Sequence, residues 1–153
     1  MATTNSDKYG TGLSVITAGA HEAITVRCTA TIADASGALT DGDIINLCII
    51  PAGHQVVKLS LFAGDLDADV SPALAFSVGL KDSADAALDT VFIADSLLGQ
   101  DGGTLAFPAT TTMYTTAADS IDKILAIEVT TTAATKHAAE RTIGCVATYT
   151  PQR

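Results

Sequence analysis

Tryptophan is absent from this chain, and aromatic residues make up only 5% of it. Sugar-binding platforms stack their ligands on Trp and Tyr faces, so three tyrosines (Tyr9, Tyr114, Tyr149) offer little to a lectin-type role. Charge is sparse as well: 16% of residues carry one, against about 25% in typical soluble domains. The scarcer sign is positive, with 8 Lys and Arg against 17 Asp and Glu, for a net charge of −9. Phosphate neutralisation needs clustered cations, so the balance argues against a nucleic-acid partner and equally against an anionic membrane. Long apolar runs are missing too. Pro51, Gly53 and Lys58 interrupt the longest candidate before it reaches the ~18 residues of a spanning helix. Residues 1–12 lack a basic stretch leading into an apolar one, so no signal peptide is expected.

Motifs that carry chemistry are also lacking. Cys28, Cys48 and Cys145 form no CxxC pair and leave an odd count. They are expected as small, reduced, core-facing residues of a protein made in a cytoplasm, and a zinc site joining them to His54 lacks ligand spacing. His21, His54 and His137 make no HxH or HExxH pair, and Ser14, Ser60, Ser77 and Ser96 sit in no GxSxG context. The glycine-rich residues 99–103 lack the Lys and Ser/Thr of a P-loop and read as a turn. No enzyme activity and no cofactor are expected. Asp65, Asp67 and Asp69 have the alternating carboxylates of a calcium loop, but a helix-loop-helix site needs Gly at its sixth position and Glu at its twelfth. Val70 and Phe76 stand there instead. The preferred reading is an acidic, solvated turn, with a looser calcium site at Asp65, Asp67 and Asp69 as the alternative.

What the chain does have is short apolar runs. At 153 residues it is expected to form one domain. Hydrophobic residues reach 48% and mean hydropathy is +0.36, much of it from alanine. So few charges suggest that part of the surface does not face water, which favours an oligomer or a docked subunit. Ile24, Val26, Cys28, Ala30 and Ile32 alternate with polar neighbours, the period of a strand with one wet face. Residues 34–42, rich in Asp, Ser and Gly, read as a turn. Residues 44–50 are apolar nearly throughout and read as a strand buried on both sides, stopped by Pro51.

Further strands are expected at 56–62 (with Val57, Leu59 and Leu61 on one face), 73–80, 91–94, 121–132 and 142–149. Residues 95–100 read as a helical turn closed by Gly102 and Gly103, and residues 105–107 are too short to assign. The threonine-rich residues 110–116 read as extended. This spacing, without repeated helical patterns, predicts an all-β fold: an antiparallel β-sandwich, jelly-roll-like, of about eight strands with little helix. Residues 1–12 are expected as a flexible N-terminal arm and residues 13–153 as the sandwich domain.

One stretch carries a resemblance. Asp41-Gly42-Asp43-Ile44 through Pro51-Ala52-Gly53, then Gly64-Asp65-Leu66-Asp67 and Ser71-Pro72-Ala73-Leu74-Ala75-Phe76-Ser77-Val78-Gly79-Leu80, resembles small head decoration, or cement, proteins of tailed bacteriophages. Phe92-Ile93-Ala94-Asp95-Ser96, Gln100-Asp101-Gly102-Gly103 and the closing 143–149 strand fit the same pattern. The resemblance implies a structural virion protein on the capsid exterior, a homo-oligomer and commonly a trimer. Its partner would be the major capsid protein, whose subunit contacts it reinforces. It implies no catalytic residue. The alternative is a phage fibre or tail-associated module that binds a receptor or glycan.

Overall fold

The computed structural model describes residues 3–5, 23–32, 39–107, 112–113, 118–135 and 139–152. Among these residues, nine strands and one short helix follow in chain order: β1 Thr3–Asn5, β2 Ile24–Ile32, β3 Ile44–Ile50, β4 His54–Ala63, β5 Ala75–Lys81, β6 Thr90–Ser96, α1 Leu98–Asp101, β7 Gly103–Phe107, β8 Lys123–Thr131 and β9 Arg141–Pro151. One sheet has the order β1-β3-β8-β5-β6 and the other β2-β9-β4-β7. All pairings are antiparallel except that of β1, which runs parallel to β3 with Thr3 opposite Ile44. Leaving β1 aside, two four-stranded sheets remain, in the interleaved order of a jelly roll. The all-β sandwich expected from the strand spacing is what forms.

Alternation sets the layers. In β2 the side chains of Cys28, Ala30 and Ile32 are buried while Thr25, Arg27 and Thr31 are exposed. Facing them from the other sheet are Ile45, Leu47, Cys48, Ile50, Phe76, Val78, Leu125, Ile127 and Val129, which join one continuous core. A second apolar cluster, Ile44, Ile124 and Ala126 with Leu88 packed on it, accounts for the burial of β3 on both faces. Leu88 belongs to the 82–89 loop, which is drawn back over the sheet by its N–H bond to Glu128 Oε2 (3.1 Å) and by Asp89 N–H to Leu80 O (2.8 Å).

Several local features depart from the sequence reading for identifiable reasons. In β4 the register against β9 slips between Val56 and Lys58, so Val57 is the extra residue of a β-bulge. The slip turns Val56 into the core with Leu59 and Leu61, and leaves Val57 half-buried. Residues 103–107, unassigned from sequence, form β7 by pairing with β4 from Leu59 to Ala63. Thr112 and Met113 are helical rather than extended, and the rest of 110–116 lies outside the described residues. Met113 is fully buried, and its carbonyl accepts the Gln55 side chain at 2.7 Å. Of residues 1–12, only β1 is described. Gly79 has to be glycine, because a Cβ there would stand 1.9 Å from the carbonyl oxygen of Thr90 on β6.

Candidate functional site

The aspartate loop after β4 is held by one carboxylate. Asp67 is 2% exposed, and its Oδ2 accepts backbone N–H groups from Ala73 (2.8 Å), Leu74 (3.0 Å) and Ala134 (2.9 Å). Its Oδ1 accepts Thr135 N–H at 2.9 Å and, more weakly, Asp69 N–H at 3.4 Å. Burial alone would push this carboxyl up, but the N–H groups of Thr135, Ala134, Ala73 and Leu74 outweigh it and hold it down at about 2. Asp69 extends the same network: Ser71 N–H donates to its Oδ1 at 2.9 Å and the Thr135 hydroxyl to its Oδ2 at 2.8 Å. Residues 64–74 are thereby fastened to residues 133–135. Two further bonds fasten them to the α1 turn, Leu66 N–H to Gly99 O (2.8 Å) and Gln100 Nε2 to Leu74 O (3.0 Å).

The three candidate calcium ligands thus have different neighbourhoods. Asp67 accepts main-chain donors, Asp69 caps its own turn, and Asp65 is half-buried beside Gly102. Among the described residues, carboxylates that gather within 4.8 Å of one another are Asp82, Asp85 and Asp89, at the other end of the sandwich. A cation already attends them. Lys123 Nζ lies 2.5 Å from Asp82, 3.3 Å from Asp119 and 3.4 Å from Asp89. Asp82 foremost, then Asp119 and Asp89, keep this ammonium charged well above the usual lysine range.

The three cysteines meet between the sheets. Cys28 and Cys145 are direct partners across β2 and β9, and Cys48 reaches them from β3; all are free thiols with no exposed surface. For Cys145, hydrogen bonds to Cys28 and Cys48 and then burial push the thiol well above its ordinary range. For Cys48 the contact with Cys145 works the other way, but that with Cys28 together with burial prevails and raises it too. The expectation of reduced, core-facing cysteines therefore matches the fold. His54 stands apart from them at the start of β4, edge-on to the Tyr149 ring with centroids 5.5 Å apart. His21, His137 and Ser14 lie outside the described residues.

The serines serve the main chain. Ser77 Oγ accepts Asp95 N–H at 3.2 Å and Ser96 Oγ accepts Leu98 N–H at 3.4 Å. A small cavity of about 70 Å³ opens near His54, Phe92, Met113 and Lys123, room for about two waters. Sequence reasoning missed the Lys123 hub, although Asp82, Asp85 and Asp89 were legible as a carboxylate cluster within one loop.

The fold and these sites define a jelly-roll sandwich in which the buried carboxylate of Asp67 fixes loops. Neither family models nor curated proteins match the sequence. Solved structures do share the fold. A chain of the capsid of Ralstonia phage GP4 superposes with a TM-score of 0.83 at 24% identity, covering 99% of this chain and 99% of that one. A chain of the cyanophage Pam1 capsid asymmetric unit gives 0.69 at 24% identity over 88% and 89%. One from the acidic stable capsid of Helicobacter pylori bacteriophage KHP30 gives 0.51 at 17% identity over 86% and 94%.

Proposed function

We propose that this chain is a structural protein of a bacteriophage virion, a decoration or cement subunit seated on the outer surface of the head. The observation that supports a structural virion role is the end-to-end match to a chain of the Ralstonia phage GP4 capsid, at a TM-score of 0.83 over 99% of both chains; the decoration role on the outer surface rests on the sequence resemblance. The site chemistry agrees. The carboxylates of Asp67 and the ammonium of Lys123 are occupied with protein partners, the thiols are sealed, and no turnover role is proposed for any residue. Asp65, Asp67 and Asp69 are proposed to organise a loop without an ion. On this reading the partner is the major capsid protein. Docking to several shell subunits at once multiplies weak contacts, raising avidity by about 10² to 10⁴.

The test is to mix the purified protein with undecorated heads. Co-sedimentation at saturable stoichiometry and greater resistance of the heads to heat are expected; neither occurring would end the cement reading. Assembly of the chain, expressed alone, into closed shells would instead assign it as the shell-forming subunit.

A further inference from the structure

Val70 is 101% exposed, at the tip of the loop that Asp67 fastens, and Leu97, 58% exposed, sits at the start of the α1 turn to which that loop is bonded. Large aliphatic side chains this bare forgo the free energy of burial by remaining in water. A floppy loop could fold such a residue under. This one is held by five hydrogen bonds to Asp67 and by the Leu66–Gly99 and Gln100–Leu74 links, so Val70 is kept outward. Rigid presentation matters energetically, because a pre-ordered anchor does not pay ordering entropy on binding.

Charge around the two anchors selects the partner. Asp41, Asp69, Asp95 and Asp101 lie at this same end, as the pairing of residues 39–43 with 129–133 and of 64–66 with α1 dictates, and they outnumber Arg141, whose side chain lies against Gly64. Asp95 accepts the Thr130 hydroxyl at 2.9 Å, and Asp69 accepts an N–H and a hydroxyl, so neither carboxylate is neutralised by those contacts. At the opposite end Lys123 forms ion pairs with Asp82, Asp89 and Asp119, and Ile121 and Val91 are exposed aliphatic residues. An acid-rimmed apolar tip repels a second copy of itself and repels nucleic acid, and it complements a cationic protein surface.

We propose that this end of the sandwich, with Val70 and Leu97 as anchors and the aspartates as rim, is the docking surface, and that its occupant is a protein surface bearing an apolar socket ringed by Lys and Arg. The proposal rests on the head-binding reading and names the face that makes the contact; the socket would lie on the shell subunits.

Undecorated phage heads titrated with wild-type protein, the double variant Val70→Asp/Leu97→Asp, the variant Asp101→Lys and the control Ile121→Asp test it. All altered side chains are exposed, and a thermal melt verifies that each variant is folded. Head affinity is expected to fall about ten-fold or more for the double variant and several-fold for Asp101→Lys, to weaken with added salt, and to stay unchanged for Ile121→Asp. Wild-type binding that survives undiminished in the double variant would overturn the docking surface and leave the head-binding reading standing. Failure of the wild type to bind heads at all would remove both.

Discussion

Asp67 is the residue on which the most local structure depends. Replacing it with Ala would strip the acceptor from the N–H groups of Ala73, Leu74, Ala134 and Thr135 at once. A buried donor left unmet costs about 1–3 kcal/mol, so Asp67→Ala is expected to lower unfolding free energy by about 3 kcal/mol or more, read by chemical denaturation. The same carboxylate sets an acid limit. Its folded pKa of about 2 lies below the ordinary 3.8, so the unfolded chain binds this proton more readily. Its contribution, about 2 kcal/mol, is therefore complete above roughly pH 4 and is lost as pH falls towards 2; the Asp67→Asn variant should show a flatter acid limb. Thiols provide a second residue-scale expectation. Cys28, Cys48 and Cys145 are buried and, for Cys48 and Cys145, raised in pKa. A chromogenic disulfide reagent at pH 8 should find no reactive thiol in the native protein and three after unfolding in guanidinium, and prompt labelling of the native form would contradict the packing.

At the scale of elements, Gly79 of β5 pairs with Val91 of β6, close enough that a Cβ would run into the Thr90 carbonyl oxygen. Ala at position 79 must push the strands apart, and about 1–3 kcal/mol of destabilisation or more is expected, together with a lower melting temperature. How far the elements could be read in advance depends on how local their causes are. The bounds of β2 and β3 follow directly from alternation and from Pro51, both local signals. The inward turn of Val56 in place of Val57 was hidden, because a bulge answers to register against β9 and leaves no mark in β4's own alternation. β1 and β7 were hidden for a related reason: polar Thr3–Asn5 and glycine-led Gly103–Phe107 become strands by pairing with β3 and β4. The aspartate loop was legible as carboxylates in a turn. Its function as a clamp was not, since Asp67 meets Ala134 and Thr135, 67 and 68 residues further along the chain.

For the whole molecule, the scarcity of charge remains the feature with the widest reach. A chain with only 16% charged residues is expected to bury surface against neighbours. We propose a homotrimer in solution. Size-exclusion chromatography with light scattering should give about three times the 15.5 kDa of one chain, and a clean monomer at high micromolar concentration would count strongly against it. The jelly-roll order makes such a unit stiff, since the chain crosses between layers at every connection from β2 to β9 except that from β5 to β6. Sulfur placed at the centre of that crossing, with 0% of each cysteine accessible, also frees the molecule from its surroundings. A subunit folded with its thiols reduced can pass into aerated water and persist there with an unaltered covalent skeleton, needing neither a reductant to keep it nor an oxidant to ripen it.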